Sequence, residues 1–242
     1  MRRRILAGWL LGLFLASATL ISVAQEVIKL PAPQTDKPGK SVMQALQLRR
    51  STRDYGTGEK FSLQLLSNLL WAANGVNRPA QGPNSQPMRT APSAVDWQNI
   101  DIYVTTPDGL FLYDALNNSL KVMSHEDVRS AAGNVQVQPF VKNVPVNLVY
   151  IADFAKAKGM GGQGGVMDTA EPWSWAGAGA IAENVYLFCA SEGLASVVRA
   201  FAADKDVIQK TFKLRPEQHY LLAQSVGYFK TPPAAAPAAG KK

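Results

Sequence analysis

Apolar residues recur along this chain at helical spacing, at strand spacing and, in places, with no spacing at all. Val42, Ala45, Leu46 and Leu48 follow Ser41 at helical intervals, so 41–48 reads as a helix capped by Ser41. Leu65, Leu66, Leu69, Leu70 and Ala73 repeat that pattern over 62–74, with Ser62 as cap and Gly75 as stop. Ile100 to Thr105 alternates with period two, and Pro107-Asp108-Gly109 turns it into a second run, 109–114, which predicts a hairpin. Ser124, with Glu126 and Asp127 close behind, reads as the start of another helix, because acids favour a helix N-terminus. Val144 to Ile151 is a continuous apolar run and predicts a central strand buried on both faces.

Trp175 to Ser191 is small or apolar on nearly every side, and Gly193 follows as a stop. Such a helix must be buried all round, which in one small domain predicts a subunit interface. Val197 to Phe201 is a short apolar run, Pro216 to Gln224 reads as a last helix, and Ser225 to Phe229 as a final strand. The whole is an α+β pattern over 41–230.

The flanks differ in character. Met1-Arg2-Arg3-Arg4 is a positive segment, Ile5 to Ile21 carries no charge, and Ser22-Val23-Ala24 places small residues where a signal peptidase reads. This predicts a signal peptide over 1–24, cleavage after Ala24, export to the periplasm or beyond, and no stable membrane span afterwards. An uncleaved anchor is the alternative, and its apolar stretch is near the lower length limit for spanning. The arginines loosely match a twin-arginine signal but serve equally as an ordinary one. Residues 25–40, with Pro31, Pro33 and Pro38, read as an arm or linker, and 231–242 as a disordered Pro/Ala-rich tail.

Composition narrows the function classes. With 47% hydrophobic and 18% charged residues, the 242-residue chain is globular. Its net charge of +7 falls to 25 − 3 − 18 = +4 without the three leading arginines, so no nucleic-acid face is indicated. A lone cysteine, Cys189, rules out an intramolecular disulfide and a cysteine-built metal site, and its apolar run predicts a buried, inert thiol. His125 and His219 have no ligand spacing between them, so no metal site is predicted. Gly159 to Gly165 lacks the Gly-Lys-Ser/Thr ending of a phosphate loop and reads as a flexible connection. Trp173 and Trp175 after it suit either the core or a lid.

The most informative segment is Arg49-Arg50-Ser51-Thr52-Arg53-Asp54-Tyr55. Three cations and hydroxyls at a helix end suit either a solvated C-terminus or a phosphate site, where guanidinium forks and a hydroxyl meet phosphate oxygens. The pattern of Arg49, Ser51 and Arg53, with Arg50 beside them, resembles the opening flavin-binding motif of the nitroreductase superfamily: basic, any residue, Ser, any residue, basic. Arg89 to Gln98, with Ser93, Asp96 and Gln98, resembles that family's Ser-rich loop before a strand. Ser191 to Ala200, including Arg199 and Ala200, resembles its small-residue helix and the backbone that faces the flavin N5. The three matches span about Ser41 to Lys230, and the subgroup they resemble most contains the thiazole/oxazole-forming peptide dehydrogenases.

The resemblance implies a central, mostly antiparallel sheet flanked by helices, a homodimer with a long buried interface helix, and FMN as cofactor. It also asks for a basic residue near the C-terminus, for which Lys230 is the candidate. Asp96 stands where the family often has Asn, and Arg199-Ala200 where many members have Glu-Gly. An arginine there can offset Asp96 or the charge of a reduced flavin, or form a surface salt bridge. The implied function is an exported FMN-dependent oxidoreductase acting on a small-molecule or peptide substrate. NAD(P)H is scarce outside the cytoplasm, so an electron-donor protein is a candidate partner. The alternative is a flavin- or ligand-binding protein on the same fold.

Overall fold

The computed structural model describes residues 25–56, 59–83, 85–157, 165–200 and 205–232. The predicted signal peptide, most of the glycine-rich connection and nearly all of the tail lie outside them. Strand β1 (Val27–Lys29) is followed by helices α1 (Val42–Leu48) and α2 (Leu63–Asn74). Ser41 and Ser62 cap these helices, and Gln44 completes a reciprocal capping box at Ser41. A two-stranded ribbon, β2 (Val76–Arg78) and β3 (Met88–Arg89), leads to the hairpin β4 (Ile100–Thr106) and β5 (Gly109–Asp114). Then come β6 (Ser119–Ser124), β7 (Val146–Asp153), α3 (Gly165–Glu192), β8 (Ala195–Arg199), α4 (Lys205–Thr211) and β9 (Gln218–Gly227).

Seven strands form one sheet in the order β1-β6-β5-β4-β7-β9-β8, and every neighbouring pair is antiparallel. Alternate residues point to opposite faces, so the sheet has two cores. One face, with Ile102, Leu148 and Tyr150, packs under α2 and α3. The other, with Tyr103, Val149 and Ile151, is covered by α4 and by the short 3₁₀ turns Arg129–Ala132 and Pro139–Lys142.

Several expectations need correction. The helix expected after Ser124 is absent: Leu120 and Val122 make 119–124 a strand, and Ser124 Oγ accepts the Glu126 N–H in a turn at its end. Residues 216–224 are not a helix either, because β9 occupies 218–227 between β7 and β8. A register shift between Tyr150 and Ile151 breaks the two-residue alternation in β9 and gives Leu221-Leu222-Ala223-Gln224 its helical look. Helix α3 begins ten residues before Trp175 and runs through Pro172. Its sheet-facing side is buried along Ala170, Ser174, Ala178, Ile181 and Val185, while Trp173 is 53% exposed. Trp175 is exposed too, so neither tryptophan belongs to the core of the chain.

Residues 25–40 lie against the domain. β1 pairs with β6, the Pro31 carbonyl accepts from Ser67 and Asn118, and Lys37 pairs with Glu192 at 2.8 Å. Among the described residues, no helix is long and apolar enough to cross a membrane.

Candidate functional site

Arg49 is the C-cap of α1, and the chain from Ser51 to Gly56 then runs beside the end of the sheet. The Thr52 N–H donates to Ser196 O at 2.9 Å, Tyr55 bridges to Phe229, and the Gly56 N–H donates to Tyr228 O at 2.9 Å. This threading carries Lys230 to the motif: its Nζ lies 3.9 Å from Asp54 Oδ1. Arg49, Arg50 and Arg53 are near neighbours in the chain, and the contact with Asp54 adds Lys230 to the same stretch. The Arg49 guanidinium lies 5.3 Å above the ring of Tyr186 on α3, and Ser51 Oγ lies 2.7 Å from the Tyr186 hydroxyl. A hydroxyl and a guanidinium brought together on one side chain form a donor pair suited to a phosphate dianion.

The loop with Ser93, Asp96 and Gln98 sits elsewhere, at the start of β4. Ser93 Oγ accepts the Gln98 N–H at 2.8 Å. Gln98 Oε1 accepts from Arg89 Nε at 2.6 Å, and its amide nitrogen donates to Pro87 O at 2.8 Å and Asp96 Oδ1 at 2.9 Å. Both amide hydrogens of Gln98 are thus used within the loop. These bonds hold Val95, Asp96 and Gln98 at φ of 49°, 55° and 48°, a left-handed conformation that is costly for a β-branched valine. A cavity of about 530 Å³ opens here, lined by Gln86, Arg89, Asp96, Gln98, Leu116 and Lys156, among others. Arg89 Nη1 is buried without a hydrogen-bond partner, and burial lowers the guanidinium below the usual arginine range.

The two groups meet α3 at different heights. Gly177 lies near Pro92, whereas Ser51 meets Tyr186 nine residues later, about 13 Å further along the axis.

Arg199 ends β8, and Ala200, which follows it, is exposed. Arg199 is only 4% exposed and points to the sheet face away from α3. Its guanidinium donates to Ala132 O at 3.0 Å and to Asn147 Oδ1 at 3.1 Å, and Nε is left unsatisfied. Desolvation lowers its pKa. Of the readings open for Arg199, the surface salt bridge is ruled out: the guanidinium is buried and its partners are neutral. Nor does it pair with Asp96 within the chain: β7 and β9 separate β4 from β8, so three strand spacings, about 14 Å, lie between them.

Tyr186 and Arg89 were not singled out by sequence. Tyr186 looks like one more apolar residue of a buried helix, and its partner Ser51 is 135 residues away. Arg89 falls inside a recognised motif but at a position without an assigned role.

Comparison with known proteins gives a consistent result. Residues 46–228 match the model of the Nitroreductase family. A protein of Methanocaldococcus jannaschii named as a nitroreductase is 27% identical over 186 residues, covering 74% of this chain and 86% of that protein. A crystal structure named as a nitroreductase, from Ralstonia eutropha, superposes with a TM-score of 0.73 at 36% identity, over 87% of this chain and 93% of the other. The Escherichia coli microcin synthetase McbBCD complex shares the fold, with a TM-score of 0.58 at 18% identity over 89% and 84% of the two chains.

Proposed function

The chain belongs to the Nitroreductase family, and from that premise we propose that it is an FMN-dependent oxidoreductase, exported and working as a homodimer. The observation that supports the cofactor assignment is that Arg49 and Ser51 both meet Tyr186, with Arg53 two residues further along the chain and Lys230 beside Asp54. These residues hold the FMN phosphate, with Arg50 close by. When bound, FMN supplies the hydride or electron transfer that amino-acid side chains cannot perform. The chain's own residues bind and orient it. Ser93 and Gln98 shape the strained loop, Asp96 offers a carboxylate oxygen to a ring N–H, and the cavity beside them accepts a polar ring edge. Arg199 lies on the opposite face of the sheet from these residues, held by Ala132 O and Asn147 Oδ1, and Ala200 leaves the adjoining backbone uncovered.

The substrate is a small molecule or peptide. With NAD(P)H scarce outside the cytoplasm, electrons come from a partner protein or from the substrate itself. The outer side of α3 supports the homodimer: Trp173, Ala176 and Gly179 are exposed in the single chain.

The test is FMN affinity. Arg49→Ala and Arg53→Ala each remove one charge-assisted contact, and each should weaken FMN binding about ten- to a hundredfold. Purified wild type should be yellow, bleach with a reductant and recover in air. Wild-type affinity in both variants would overturn the site. A flavin that binds but does not cycle would favour a binding protein on this fold. Export predicts a mature N-terminus at Gln25, read by N-terminal sequencing of protein from the periplasmic fraction.

A further inference from the structure

Tyr186 stands on α3 between Val185 and Leu187 and is 5% exposed. Its hydroxyl meets two distant parts of the chain. The Val198 N–H of β8 donates to it at 2.8 Å, and Ser51 Oγ lies 2.7 Å away. The Arg49 guanidinium covers its ring at 5.3 Å. Val198 immediately precedes Arg199 and Ala200, while Arg49 and Ser51 are the first two members of the phosphate motif. One phenol therefore joins the phosphate motif to strand β8.

The direction of the hydrogen bonds follows from the atoms available. A backbone N–H can only donate, so Tyr186 Oη accepts from Val198. The phenol keeps one hydrogen of its own, and Ser51 Oγ is in position to accept it. A serine oxygen that accepts from Tyr186 still has its own hydrogen to give. Placed beside Arg49 and Arg53, that hydrogen is best used on an anion. The resulting chain runs from the Val198 N–H through the Tyr186 and Ser51 hydroxyls to an anionic oxygen, and each link polarises the next.

We infer that Tyr186 is a positioning residue for the cofactor phosphate. It turns Ser51 into an outward donor, holds Arg49 in place through a cation–π contact, and ties both to β8. This rests on the FMN reading above. Tyr186→Phe keeps the ring and removes only the hydroxyl. FMN dissociation constants from flavin fluorescence, and the ³¹P shift of bound FMN, are to be measured for wild type, Tyr186→Phe, Ser51→Ala and the double variant. Tyr186→Phe should weaken binding about five- to tenfold and move the ³¹P signal. The double variant should bind no more weakly than Ser51→Ala, because Tyr186 acts through Ser51. Unchanged binding with an unchanged ³¹P signal, or fully additive losses, would overturn the inference while leaving the FMN reading intact. A wild type that binds no FMN overturns both. If Tyr186→Phe does not fold, amide exchange at Val198 in the wild type decides: it should slow when FMN is added, and an unchanged rate overturns the inference.

Discussion

Gly133 lies against the Arg199 guanidinium so closely that a Cβ there would stand 2.1 Å from Nη1 and 3.2 Å from Val141 Cγ2. A long side chain usually yields to such a clash by swinging into water. Arg199 is buried, and its bonds to Ala132 O and Asn147 Oδ1 fix where its head can lie. Gly133→Ala must break at least the Ala132 bond, so it should destabilise the fold by about 1–3 kcal/mol. Urea unfolding checks this, and a variant as stable as wild type would refute the packing argument. The contact also bounds what sequence shows at this scale. The motif carrying Arg49, Ser51 and Arg53 was legible because its members are neighbours in the chain. The surroundings of Arg199 were not, because Ala132, Asn147 and Gly133 reach it from other elements.

At the scale of elements, α3 combines a legible pattern with a consequence for assembly. Its small and apolar residues marked it as a helix, and the structure buries one side of it on the sheet. The other side is open: beyond the backbone of the helix itself and the neighbouring residues, nothing lies within 4 Å of a Cβ built on Gly179. Gly179→Leu therefore leaves the single chain undisturbed and even favours helix by about 1 kcal/mol. If α3 forms the proposed dimer seam, this variant should be monomeric by light scattering and should lose flavin. A Gly179→Leu protein that remains dimeric and flavin-bound would move the interface elsewhere. Strand β9 shows the opposite case. Leu221 to Gln224 has helix-forming composition, yet partners on both sides hold it extended, since a strand between two others satisfies all its backbone groups.

For the molecule as a whole, several tyrosines lie in or beside the two cores. Burial is the main cause that raises the hydroxyl pKa of Tyr55, Tyr103, Tyr113 and Tyr150, and it pushes Tyr220 up to about 12. The neutral form is thus favoured in the folded state. These groups contribute full stability below the unfolded-state value near 10, and the contribution is lost as pH rises through the folded-state values. Above about pH 10 each unfolded tyrosine releases a proton that the folded one keeps, costing up to about 1.4 kcal/mol per pH unit for each. Unfolding should become steeply easier above that pH, with tyrosinate absorbance rising together with loss of secondary structure. A smooth tyrosinate titration near pH 10 with the fold intact would contradict the burial of these rings.

Sequence alone determined what depends on near neighbours. The caps at Ser41 and Ser62, the β4–β5 hairpin, the buried run of β7 and the basic-x-Ser-x-basic segment are all written within windows of a few residues, where periodicity and capping act. Tertiary structure decided what depends on partners far along the chain. It made β9 a strand, set Arg199 on the face away from α3, brought Lys230 beside Asp54 and joined Ser51 to Val198 through Tyr186. The physical reason is that these outcomes rest on backbone pairing, burial and hydroxyl contacts between distant segments. Those terms exceed local propensities of a few tenths of a kcal/mol per residue, and they exist only once the sheet has assembled.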